Sequence, residues 1–494
     1  MTWIIACLLL CSCRKTDVSV PLGYTAPIYP DYTDVTIPYN IAPLDFHITD
    51  PALARAMVEV KGATHTLRVK AHKGDVTFPL KKWHRLLENE KGNILTVSIR
   101  NQSATISNPP SSVSNLQSST DFSLIVSPDP IPPCLSYRLV QPGYEVYGKM
   151  GIYERDLTSF NEHPLIENTQ FAGCVNCHSY NQGDPASMSL HIRGNHGATL
   201  IRSQGSIEAF ETRTDSTLGF CVYPYWHPSG DYIAFSTNNT RQGFHVGQDK
   251  LIEVFDLASD VQVYDVRSGE LIIPRHLRAD SVWETFPAFS PDGRTLYYCA
   301  ATARPIPAET TDIRYNLCRV PFDPDTGIIG TDIDTLVMAE PEGKSVSFPR
   351  PSYDGRYLMY TLSDYGQFSI WHHEADLWLL DLQTAECRLL VEVNSTDTES
   401  YHQWSPNSRW FVFSSRRDDG LHTRPYFAHM DADGHIGRPF MLPQRHPARF
   451  YASRMHSFNV PEFTMRPTHF PTRRAAQLIR SPHRTKMKLS SNKE

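Results

Sequence analysis

One pattern occurs four times between Tyr225 and Ser414: an aromatic or apolar residue, a Ser-Pro-Asp-Gly turn or a variant of it, then an alternating apolar strand. The copies begin at Tyr225, Ala288, Arg350 and Gln403, and their turn residues Gly230, Gly293, Gly355 and Ser408 are 63, 62 and 53 positions apart. Each unit has a second half in which an alternating strand meets an Asp/Gly turn: Asp260 to Gly269, Asn316 to Gly327, and Asp376 to Thr384. Alternation is the period of a strand, and Asp, Gly and Pro at fixed offsets close hairpins. Two hairpins per repeat make four strands, which is one propeller blade. A blade covers its faces only against its neighbours, so the repeat predicts a ring. The excess of Pro (37) over Gly (26) suits short strands joined by fixed turns and argues against long helices.

The repeats resemble the TolB-type, PD40 or WD40-like propeller family, over roughly 223–433. That resemblance implies about six blades, with 137–220 supplying the degenerate ones through segments such as Tyr144 to Tyr147 and Met188 to Arg193. The fold class expected is therefore all-β: an N-terminal β-sandwich, then a propeller carrying a Cys-x-x-Cys-His insertion. The sandwich is read from period-two runs at Leu67/Val69, Leu95/Val97/Ile99 and Phe122/Leu124/Val126, with a Ser-rich loop from Asn101 to Thr120.

Forty-seven basic and 53 acidic residues give a net charge of −6, which excludes a chain-wide nucleic-acid binder. The basic residues are uneven: Arg466 to Glu494 holds eight against one acid. Such a tail is expected to be disordered, with contact to anionic lipid as the alternative. At the other end, Trp3 to Leu10 is apolar and closes as Leu10-Cys11-Ser12-Cys13. This resembles a bacterial lipoprotein signal with Cys13 as the lipidated residue, although Met1-Thr2 lacks the usual positive charge. Arg14 in place of Asp points to the outer membrane, facing the periplasm or the cell surface. The expected division is 1–12 signal, 13–44 extended linker arm, 45–130 sandwich, 135–465 propeller and 466–494 tail.

The segment Cys174-Val175-Asn176-Cys177-His178, in an expected haem segment of 171–196, carries the chemistry. Cys-x-x-Cys-His is the attachment motif of c-type haem: two thiols add to the vinyl groups and the His becomes an axial ligand. The expectation is one covalent haem c on Cys174 and Cys177, with His178 on the iron. A disulfide or half of a zinc site is the alternative, although no second Cys-x-x-Cys completes a zinc ribbon. For the distal ligand, His191 shares a strand face with Arg193, a partner for a haem propionate. Met188 shares the other face with Leu190 and Ile192 and reads as core; Met188, His196 or an open position are the alternatives. The other five mature cysteines, Cys134, Cys221, Cys299, Cys318 and Cys387, are odd in number and make no disulfide framework.

The chain also resembles exported TolB-like lipoproteins with Cys-Val-Asn-Cys-His just before the repeats; shared segments include Ile37 to Pro43 and Trp226 to Gly230. No Gly-x-Ser-x-Gly elbow is present, and His372-His373-Glu374 reads as a loop running into a strand rather than a metal site. Two functions are carried forward, beside a third, an enzyme using haem or a propeller-centre pocket, that has no residues of its own. One is a lipid-anchored cytochrome with a redox or envelope protein partner, for electron transfer or redox sensing. The other is a non-redox propeller that binds a protein or envelope polymer, its Cys-x-x-Cys-His structural.

Overall fold

A computed structural model of the chain describes residues 26–101, 119–143, 148–246 and 250–490. The signal run, Cys13, Tyr144 to Tyr147 and most of the Ser-rich loop lie outside the described residues.

Six sheets follow one another from Cys134, and the main strands of each pair antiparallel with their neighbours. The second sheet has the strands Cys174–Asn181, Asp184–Arg193, Ala198–Ser203 and Ser206–Glu211 in that order. The third to sixth sheets begin with Cys221–Trp226, Val282–Phe289, Ser345–Pro351 and Glu399–Trp404. Each of those four is followed by one repeat turn. Gly230, Gly293 and Gly355 take φ of 79°, 72° and 74° there, and Ser408 takes 55°. Left-handed backbone is what such turns need, and Gly takes it without strain.

The first sheet is made from both ends of the chain. Cys134–Val140, Gly151–Asp156 and Glu162–Glu167 are joined by the late strand Ser457–Thr464, which pairs antiparallel with Cys134–Val140. Ser457–Thr464 is thus the inner strand of that sheet. The six inner strands touch one another in sequence, and Ser457–Thr464 touches both Cys174–Asn181 and Glu399–Trp404. The succession of sheets therefore closes on itself in an all-β, propeller-like arrangement. Between sheets lie fully buried aromatics such as Trp404, Trp410, Tyr298 and Tyr360. Burial of this kind is worth roughly 1.5–3 kcal/mol per large apolar side chain.

Three expectations change. Cys174–Asn181 is an inner strand of the ring and not an insertion. Residues 26–44 do not run as an extended arm: Val35–Pro38 pairs parallel with Ser119–Ser127, and Ile28, Ile37 and Ile41 are buried. Proline there fixes turns between short buried segments instead of stiffening a linker. The 45–130 region supplies four strands of a five-stranded sheet and two of a three-stranded one, Val35–Pro38 and Ile28–Tyr29 completing them, but it also has the helix Leu80–Asn89, which buries Trp83, Leu86 and Leu87 on one face. This region packs directly on the ring; the indole of Trp410 donates to the Asp129 carbonyl at 3.1 Å.

The basic tail is also structured through residue 490. Thr472–Arg480 is a helix with Ala475, Ala476 and Ile479 buried. Thr485–Lys486 and Lys488–Leu489 then add as parallel strands to the outer edges of the second and third sheets. Its cations face water while a few small apolar residues hold it, a pattern that net charge conceals. Among the described residues no helix is long and apolar enough to cross a membrane.

Candidate functional site

The inner strands share a local feature. Register shifts occur in five of them after Val222, Thr285, Ser347, Ser400 and Asn459, two residues being left over each time. The leftover pairs are Tyr223-Pro224, Phe286-Pro287, Phe348-Pro349, Tyr401-His402 and Val460-Pro461. The first residue of each pair has left-handed backbone, with φ between 48° and 52°. A bulge of this kind rotates the strand and re-aims a side chain, and Pro suits the second place because that N–H has no ladder partner. Here the re-aimed side chains meet. The ring centroids of Phe286 and Phe348 are 4.0 Å apart, Tyr223 and Phe286 4.5 Å, and Phe348 and Tyr401 4.9 Å.

The sixth inner strand bulges at the corresponding place, between Asn176 and His178, with Cys177 as its leftover residue. Cys177 lies close enough to Tyr223 and Tyr401 to raise the pKa of both phenols, behind the larger effect of their burial. Val175 to Tyr180 thus corresponds to Phe458 to Phe463 and to Glu399 to Trp404. The shift here is one residue rather than two, and Cys177 is not left-handed.

This register decides where the motif residues point. Residues directly opposite across a ladder share a face. Cys174 faces Arg193 and Asn176 faces His191, whereas His178 faces Leu190 and Tyr180 faces Met188. His178 and His191 therefore lie on opposite faces of one sheet. His178 lies beside Tyr180 and Arg138, toward the first sheet. His191 packs on Phe220 at 5.6 Å, toward the third, its Nδ1 3.1 Å from the Thr199 hydroxyl. Burial pushes both imidazoles down to about 3, so both are neutral. Met188 is core, packed with Leu190 and Ile192, and Arg193 stands at the end of its strand.

A covalent haem needs both thiols at one porphyrin edge and the imidazole over the same ring. The Cys174 thiol and the His178 imidazole leave opposite faces of a hydrogen-bonded strand, and His178 and His191 leave opposite faces of their sheet, although all of them, with Cys177 and Arg193, line one central cavity. The residues as arranged do not fit a covalent haem. Nor do Cys174, Cys177 and His178 form a three-ligand metal cluster; among the described residues Asp431, Asp433 and His435 alone come that close, and that trio is an exposed turn. His372 and His373 are taken up by Glu374 and Asp397, each at 2.8 Å. No disulfide joins the seven described cysteines, four of which are buried.

The inner strands surround a cavity of about 950 Å³. Cys174, Cys177 and His178 line it, as do three of the four ring aromatics, Tyr223, Phe348 and Tyr401. Among the described residues its arginines are Arg138, Arg193, Arg350 and Arg416, and its one carboxylate is Glu462, which burial pushes up to about 8. The bulge pattern and this charge reversal are the features the sequence reading did not find. The repeated aromatic-Pro pairs were the visible signal of the bulges.

No family profile matches the chain, and no curated protein matches it. Solved structures are similar in fold. A TolB candidate from Agrobacterium tumefaciens is 16% identical, with 63% of this chain and 91% of that one covered and a TM-score of 0.37. A periplasmic gluconolactonase of Pseudomonas aeruginosa is 13% identical over 67% of this chain and all of its own, at 0.35. An oligogalacturonate lyase in complex with manganese is 15% identical over 61% and 78%, at 0.36.

Proposed function

We propose that the chain is an exported, lipid-anchored, non-redox binding protein of the cell envelope, a six-bladed TolB-like propeller whose central cavity receives its ligand. In this reading Cys13 carries the anchor, and Cys174 to His178 is the sixth copy of the inner-strand bulge rather than a haem site. The observation that carries it is the correspondence of Cys177-His178 with Tyr401-His402 and Val460-Pro461. A cavity of about 950 Å³ lies in the range of sites for small organic ligands. The test copies the neighbouring blade. Cys174→Ser/Cys177→Val, exported by a host able to mature c-type cytochromes, should keep the wild-type melting temperature within a few degrees. A variant that loses its fold, together with visible colour present in wild type, overturns the reading.

A second reading, a c-type cytochrome, is favoured by one observation. Both ring nitrogens of buried His178 lack a hydrogen bond of ordinary geometry, and buried polar atoms without partners need a reason. A pyridine haemochrome spectrum separates the two.

A further inference from the structure

The cavity has two ends, distinguished by register. Asn176, Cys174 and Glu399 precede the bulges of their inner strands, whereas Arg350 and Glu462 follow theirs. Arg138 donates to the Asn176 amide oxygen, Arg193 is opposite Cys174, and Arg416 follows Ser415, which is opposite Glu399. Three guanidinium groups therefore gather at the end where the inner strands begin. Among the described residues, the lining at that end includes no carboxylate. The chain as a whole is net −6, so this is a local reversal of sign.

Arg416 is the most telling of the three. It is 1% exposed, lies 3.1 Å over the Trp371 ring, and its Nε and Nη1 have no hydrogen-bond partner. Its sequence neighbours are differently placed: Arg417 pairs with Glu399 at 2.7 Å, and Arg424 lies 3.6 Å from Asp419. Burial lowers the Arg416 pKa to about 9 against the raising influence of Asp397 and Asp419, so it stays charged at neutral pH. Arg138 likewise leaves its Nε buried without a partner. A buried cation with unused donors is costly unless something accepts from it. Guanidinium forks match the paired oxygens of carboxylates and phosphates.

We propose that this end of the cavity binds a small organic oxyanion, a carboxylate or phosphate group seated against Arg416, Arg193 and Arg138 with the carbon skeleton on the ring aromatics. This rests on the reading of the cavity as a binding site and adds the ligand's chemical class. Tyr223, Phe348 and Tyr401 supply apolar faces below the cations, and Gln242 supplies an amide donor and acceptor at the wall. The cavity accepts a drug-sized ligand and not a folded partner.

The test is calorimetric titration of the full chain with citrate, glucose 6-phosphate and glucose at low ionic strength. Citrate or glucose 6-phosphate should bind, glucose should not, and whichever anion is tighter shows whether carboxylate or phosphate is preferred. Binding should weaken several-fold between about 20 and 200 mM salt. Arg193→Gln, at the partly exposed end of its strand, should weaken the anion about tenfold or more, the loss of a charge-assisted contact. Arg416→Gln should do the same, and Arg416→Lys should recover part of it. Silence from both anions, or unchanged affinity in Arg193→Gln, overturns the oxyanion assignment. Glucose binding as tightly as the anions overturns it too, while leaving the cavity a binding site.

Discussion

The bulges make a prediction that runs against the usual order of side chains. Phe348 is 5% exposed and its ring lies tilted against Phe286 with centroids 4.0 Å apart, on backbone with φ of 52°. Truncating a buried Phe to Ala costs about 3–5 kcal/mol, and about 3 is expected here because the space opens on the cavity. Ala must still hold left-handed backbone, at about 1–2 kcal/mol for a residue with a Cβ. Gly escapes that strain but loses about 0.4–1 kcal/mol through its freer unfolded chain. Phe348→Gly should therefore be more stable than Phe348→Ala, by about 0.5–1 kcal/mol. Phe411, fully buried in an ordinary strand of the sixth sheet, is the control. There Gly should fall below Ala by about 0.5–1 kcal/mol. Urea midpoints of the four variants measure both differences at constant m. The same order of Gly and Ala at both positions would refute the bulge account.

Other consequences are simpler. His191 is buried with its pKa near 3, below the ordinary 6.5, so the unfolded chain binds the proton more readily. Its contribution is intact above about pH 6.5 and is lost as pH falls toward 3; between pH 7.5 and 5 that is about 2 kcal/mol. His191→Asn should lose less stability than wild type over that interval in urea titrations at the two pH values, and an equal loss counts against a neutral buried imidazole. Ile479 is fully buried under the tail helix, so Ile479→Ala should cost about 2–4 kcal/mol. A midpoint unmoved by that change would return the tail to disorder.

The repeat was legible because turn chemistry is local. Gly230, Gly293 and Gly355 announce left-handed turns that no tertiary contact needs to impose. The helix Leu80–Asn89 was missed: Leu80, Trp83 and Leu87 have helical spacing, but they lie among period-two runs that argued for strands alone. Residues 26–44 were misread because proline density signals an extended arm as well as it signals short buried strands. The inner-strand pairs such as Phe286-Pro287 and Phe348-Pro349 looked like strand ends, since Pro interrupts a ladder, and only the paired register shows them inside strands. Without that template, Cys177-His178 resembled only haem chemistry. With it, Val175 to Tyr180 aligns with Phe458 to Phe463. Arg138, Arg193 and Arg416 come from three separate strands and loops, and nothing in sequence spacing brings them together.

The central claim is that Cys174 to His178 builds one turn of the ring and carries no cofactor. A pyridine haemochrome spectrum of the full chain, exported by a host with complete c-haem maturation, tests it most directly. The account predicts no haem c band above background in the purified monomer. One covalent haem per chain, absent from Cys174→Ser/Cys177→Val, would contradict it.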